Sequence, residues 1–148
     1  MQVEFREINF FDLWIWVEFS TMPSHREKQL VEEVFDSWFF LGKLGGFNAE
    51  NIQVQEAGSD ISYIEYDTDA ADNSLMALMH NMSEFEYEGT WGRCWFDLGT
   101  TDALALDILV NALKQLSKEY VDISRLIVGG ENEDWAIDPS RRESVFSE

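Results

Sequence analysis

The 148-residue chain has one cysteine, two histidines and only ten lysines and arginines. The lone Cys94 excludes an intramolecular disulfide and any zinc or iron–sulfur site built on several thiolates. A single thiol without an export signal is the pattern of a reducing compartment, so a cytoplasmic setting is expected. No stretch reaches the ~20 apolar residues of a membrane span. The most apolar early run, Phe10 to Phe19, is interrupted by Asp12 and Glu18, and it lacks the basic flank of a signal peptide. There is no Ser/His/Asp set, no phosphate-cradling glycine loop and no zinc-protease helix, so no cofactor is expected.

Acid is what the sequence has in excess. Twenty-nine aspartates and glutamates leave a net charge of −19. Such a field repels phosphate backbones and anionic lipid surfaces, which argues against nucleic-acid and membrane partners and is compatible with a basic protein partner. The same field is equally compatible with cations, and a solvated acidic surface explains it without any partner. The excess is concentrated in residues 51–100, where Arg93 is the only lysine or arginine. Hydrophobic residues make up 45% and aromatic residues 14%, enough for a globular core. A domain of this length buries roughly 68–70% of its unfolded surface.

Hydrophobic periodicity lays out the elements. Residues 2–8 suggest a short strand with Val3 and Phe5 inward. Over 11–19, Phe11, Leu13, Ile15, Val17 and Phe19 alternate with Asp12, Trp14, Trp16 and Glu18, the period of a strand with one buried face. Ser24-His25-Arg26-Glu27 fits a capping box, and a helix follows with Leu30, Val31, Val34, Phe35, Trp38, Phe39 and Leu41 at helical spacing, ended by Gly42 and then Gly45-Gly46. Two strands are expected near 51–56 and 60–66. A second helix then starts at Asp67 or Asp69, with Leu75, Leu78, Met79 and Met82 inward. Residues 83–98 read as a hairpin around Gly89-Thr90-Trp91-Gly92. Thr100 or Thr101 caps a third helix, nearly apolar all round from Ala103 to Leu113 and therefore deeply buried. Arg125 to Val128 forms a last strand before Gly129-Gly130. The expected architecture is α+β: one mainly antiparallel sheet with about three helices packed on it, a split βαβ (ferredoxin-like) unit plus an extra strand–helix–strand. Residues 1–130 form one globular domain. Residues 131–148 form an acidic, mobile tail in which Trp135 and Ile137 are the residues able to dock.

Three sets of side chains invite a functional reading. Parity puts Trp14 and Trp16 on the polar face of one strand with Asp12 and Glu18, and Trp95 on the outer face of another between Arg93 and Asp97. If the strands are neighbours, these seven residues make a partner-binding surface offering indole faces and carboxylates to a partner's Arg or Lys. The competing reading is that the tail, with Trp135, covers this face. Asp97-Leu98-Gly99-Thr100-Thr101 is similar to the phosphate-binding turn of the actin and sugar-kinase superfamily, but sits late in a short chain. A threonine-capped strand-to-helix turn explains it, with free amides at Gly99, Thr100 and Thr101 as a minor anion site. Asp67, Asp69, His80, Glu84 and Glu86 are the carboxylates and imidazole from which a divalent-metal site would be drawn. Dipole-stabilising aspartates and a solvated strand face account for them equally well.

Phe11-Asp12-Leu13-Trp14-Ile15-Trp16, Ser37-Trp38-Phe39-Phe40-Leu41-Gly42-Lys43-Leu44-Gly45-Gly46-Phe47-Asn48, Trp91-Gly92-Arg93-Cys94-Trp95-Phe96-Asp97-Leu98-Gly99 and Gly129-Gly130-Glu131-Asn132-Glu133-Asp134-Trp135 resemble a family of uncharacterised proteins found in cyanobacteria and plant plastids. The resemblance spans residues 2 to 135. It implies a cytosolic or stromal setting and an accessory role related to photosynthesis, and assigns no residue a task. The expected function is a non-catalytic protein-binding or assembly factor acting through an acidic, tryptophan-bearing surface. The alternatives are a small metal-assisted hydrolase using carboxylates of the 65–88 region and a small-ligand sensor with its cleft near Gly99.

Overall fold

A computed structural model describes residues 1–47, 78–131 and 135. Its elements run β1 (Gln2–Phe5), β2 (Leu13–Phe19), α1 (His25–Lys43), β3 (Asn81–Met82), β4 (Glu86–Glu88), β5 (Trp91–Asp97), α2 (Leu104–Glu119) and β6 (Ile123–Val128). The strands make one mixed sheet in the order β1-β6-β2-β5-β3, with β4 also paired to β5. Only the β1–β6 pair is parallel; β2 runs antiparallel to both β5 and β6. The α+β class and the mainly antiparallel sheet agree with the sequence reading, and two helices are present among the described residues. The expected strands near 51–56 and 60–66, and the helix start at Asp67 or Asp69, lie outside the described residues.

Three boundaries differ from expectation for local reasons. Met79 and Met82 are not on a helix. Asn81–Met82 is a short strand against Asp97 and Phe96, and Met79 is buried in the segment before it. The approach of Met79 to α1 requires Gly42, because a Cβ there would collide with the Met79 Sδ. Gly42 itself lies inside α1, which continues to Lys43, and the left-handed backbone that ends the element comes at Gly45, with a φ of 78°. The hairpin loop is Gly89-Thr90 alone, since Glu88 already pairs with Trp91, and Gly89 supplies the positive φ of 61° that a two-residue loop needs. Neither Thr100 nor Thr101 caps α2. Ala103 holds the cap position, and the Asp102 carboxylate accepts from the Leu104 N–H at 3.0 Å. At α1 the capping box is complete: Ser24 Oγ accepts from Glu27 N, and Glu27 Oε1 from Ser24 N.

Both helices lie on one face of the sheet. Leu13, Ile15, Val17 and Phe19 of β2 join Cys94 and Phe96 of β5 against Val31, Phe35, Trp38 and Phe39 of α1 and Leu106, Leu109 and Leu113 of α2. Helix α2 is less apolar in effect than its sequence suggests, because Asp107, Asn111 and Ala112 face solvent. Trp38 joins the layers. Its ring meets Phe96 of the sheet edge-on at 5.3 Å, and its Nε1 donates to the Ala105 carbonyl of α2 at 2.8 Å. Replacing Trp38 with Phe keeps most of the apolar bulk but loses this bond. The substitution should lower unfolding free energy by roughly 1–3 kcal/mol. A urea midpoint equal to that of the parent would show that the bond contributes nothing.

Candidate functional site

The other face of the sheet is built on indoles. Register sets Trp14 opposite Trp95, Trp16 opposite Arg93 and Ile127, and Glu18 opposite Trp91 and Arg125. The parity argument therefore places Trp14, Trp16 and Trp95 correctly on one face. Exposure is another matter. Trp16 is 3% exposed and packs with Trp91 and Ile127, while Trp14 and Trp135 lean on this small cluster. The expectation of a contiguous exposed indole surface is thus corrected: Trp16 is buried, Trp14 and Trp95 are half-buried, and Trp135 of the tail packs against the cluster.

Charges on this face are met within the chain. The Arg93 guanidinium lies between the rings of Trp14, at 4.2 Å, and Trp135, at 4.5 Å, and its Nε donates to Glu86 at 3.2 Å. Arg125 stacks over Trp91 at 5.0 Å and donates to Glu18 at 3.3 Å. Asp12 accepts from Trp95 Nε1 at 2.7 Å. Asp97 accepts from the Gly99 amide at 3.0 Å and lies 3.4 Å from His80 Nδ1. The carboxylates expected to receive a partner's cations already hold donors of this chain, so the face acts as a stacked, charge-balanced layer.

The remaining predicted sites come apart in space or turn inward. At the strand-to-helix turn, Gly99 N is held by Asp97, Thr101 N by the Leu98 carbonyl, and Thr100 Oγ1 accepts from Leu78 N at 3.4 Å. Among the described residues no group of three His, Cys, Asp or Glu is placed to hold a metal ion. His80 turns to Asp97, Glu86 to Arg93, and Glu84 is exposed, while Asp67 and Asp69 lie outside the described residues. Among those residues no helix is long and apolar enough to cross a membrane.

Cys94 faces the core, fully buried, and burial pushes its thiol up to about 12, against a partial offset from the Ser83 hydrogen bonds. Across that window the folded chain keeps a proton that the unfolded chain, titrating near 9.0, has lost. Stability should therefore fall as pH rises from about 9 towards 12, and less steeply in Cys94→Ala. Denaturation midpoints across that range check it; equal slopes in the two proteins would contradict it.

A second surface lies on the helical side and was not foreseen. Between α1 and α2 runs an open groove of about 670 Å³. Leu30, Val34 and Leu41 form one wall, Ile108, Ala112 and Leu116 the other, with Trp38 and Phe47 also lining it. Arg26 and Glu33 are its charged members. Leu41 is 49% exposed and Tyr120, at the end of α2, 69%. A signal for it exists in the sequence. Core contact uses Val31, Phe35, Trp38 and Phe39, yet Leu30, Val34, Phe40 and Leu41 widen the apolar arc beyond what one packing face requires.

The covered tryptophan face has direct mutational consequences. Trp16→Ala should cost ~3–5 kcal/mol, as for a core aromatic. Trp135→Ala should cost on the order of 1–2 kcal/mol through the lost cation–π contact and covering area. It should also shift tryptophan emission to the red as Trp16 meets water. An unchanged melt and spectrum for Trp135→Ala would contradict the covering role.

No curated protein and no solved structure matches the chain. One family does, described as a protein of unknown function (DUF3531), over residues 1–143. The chain belongs to that family.

Proposed function

We propose that this domain is a protein-binding accessory factor whose docking surface is the groove between α1 and α2. The observation that carries the reading is an open apolar groove with large exposed side chains, Leu41 and Tyr120, at its margin. Exposed contiguous apolar surface is costly in water, and a partner that covers it recovers that free energy. The sheet's outer face supports this choice by contrast, because its guanidinium groups and carboxylates are already paired inside the chain. The reading keeps the expected class of non-catalytic binding factor and moves the surface from the tryptophans to the helices. A cytosolic setting goes with it, consistent with one buried, unreactive thiol.

Photo-crosslinking in the native cell tests the proposal. A benzoylphenylalanine at position 120 should give a discrete adduct with another protein, and Ala112→Lys in the same chain should remove it. Ala112 is exposed, so that substitution should leave the melting temperature unchanged. An adduct insensitive to Ala112→Lys, or none at position 120, would contradict the groove as the binding surface.

A further inference from the structure

The occupant of the groove can be specified further, on the reading that the groove is a docking site. Its form comes first. The walls are rows of side chains one or two turns apart, Leu30, Val34 and Leu41 on α1 and Ile108, Ala112 and Leu116 on α2. Ridges on a helix surface recur at the same interval, and Ala112 leaves a notch that takes a larger side chain. An extended peptide laid in this trough would set its own amides and carbonyls against apolar walls without partners. A helix arrives with those groups already bonded internally, so the apolar lining selects a helix.

Charge comes next. Two charged side chains line the groove, Arg26 in the first turn of α1 and Glu33 two turns on, about 10 Å further along the axis. Both are exposed, and neither takes part in an ion pair among the described residues. Neighbouring carboxylates are engaged elsewhere. Glu27 is held in the capping box, and Glu32 accepts from the Tyr87 hydroxyl at 2.6 Å, away from the groove. The lining is therefore balanced, one cation and one anion, although the whole chain carries −19. A uniformly basic or uniformly acidic helix would set one like-charge contact against each favourable one. A helix with both signs at the matching interval gains at both places.

The two ends of the groove also differ. The Trp38 indole bonds Ala105, so the late part of α1 lies beside the early part of α2, and the helices run antiparallel. Arg26 and Tyr120 consequently share one end, and Trp38 and Phe47 the other. A guanidinium and a phenol hydroxyl can both donate, which suits a carboxylate at that end and an apolar anchor at the other.

We infer that the α1–α2 groove receives an amphipathic helix of a partner protein that carries an acid and a base two turns apart. The acid meets Arg26 and Tyr120, the base meets Glu33, and the apolar face lies on Leu30, Val34, Ala112 and Leu116. Burial of that face supplies the affinity, and the two charge pairs set register and partner choice.

The test uses the full chain and three labelled helical peptides of about 16 residues with one leucine and phenylalanine face in common. At two positions on the polar flank, two turns apart, one peptide has Glu and Lys, the second has two Lys and the third two Glu. By fluorescence anisotropy at physiological ionic strength, the Glu/Lys peptide should bind about fivefold or more tighter than either of the others. Reversing one charge of the groove should move the preference, Arg26→Glu towards the two-Lys peptide and Glu33→Lys towards the two-Glu peptide. Both side chains are exposed, so the melts of these variants should match the parent. Ala112→Lys should weaken all three peptides. Binding that depends on Ala112 but follows peptide net charge alone would overturn the paired-charge helix and leave the groove reading standing. Binding of no peptide, or binding indifferent to Ala112→Lys, would overturn both. Sedimentation showing a dimer that Arg26→Glu dissolves would assign the pairing to a second copy and overturn the inference.

Discussion

The hydrogen bond from the Trp38 indole to the Ala105 carbonyl ties the helical layer together. It joins α1 to α2 across 67 residues of sequence, and the same ring packs edge-on against Phe96 of the sheet. An indole is large enough to hold two helices apart at its own level while bonding both layers. Its other neighbour, Phe47, stacks on it at 6.3 Å at the end of α1. The floor of the groove is therefore part of the core, and the groove is a consequence of how the core is bridged. Ala112, the one small residue on the α2 wall, leaves space open between Ile108 and Leu116.

The two faces of the sheet divide the work. On the helical side, apolar burial is extensive and ends in an opening. On the outer side, two guanidinium groups stack on indoles and pair with two glutamates, while the indole N–H groups of Trp16 and Trp135 are buried without a partner. The contribution of each such contact is modest, about 0.5–2 kcal/mol for a cation–π pair. Together they cover Trp16 and Ile127, which a single exposed sheet face would leave in water. An outer face closed in this way is a stabilising layer first, and the open groove between α1 and α2 lies on the opposite side.

Local chemistry was legible in the sequence, and long-range packing was not. Alternation over 11–19 and 93–97 gave the correct faces for Trp14, Trp16 and Trp95, and the Ser24 capping box gave the start of α1. Both follow from spacing alone. The burial of Trp16 comes from long-range packing with Trp91 and Ile127, against which Trp14 and Trp135 also lean, and strand alternation alone does not decide between that cover and exposure. The cap of α2 was misassigned because Asp102 competes with two threonines at adjacent positions, and the carboxylate is the stronger acceptor. Met79 and Met82 had helical spacing with Leu75 and Leu78, yet strand pairing with Phe96 and the notch at Gly42 took precedence. The groove was hidden for a different reason: it needs the separation of α1 and α2, which Trp38 sets and the sequence of either helix does not contain.

On this reading the helical face, and not the tryptophan face, meets the partner. Methyl and indole spectra of the isotope-labelled full chain, recorded as fractions of native cell extract are added, test it most directly. Shifts are expected at the methyl groups of Leu30, Val34, Ala112 and Leu116, with the indole N–H signals of Trp14 and Trp95 unmoved. Shifts confined to those indoles, with the groove methyls unchanged, would contradict it.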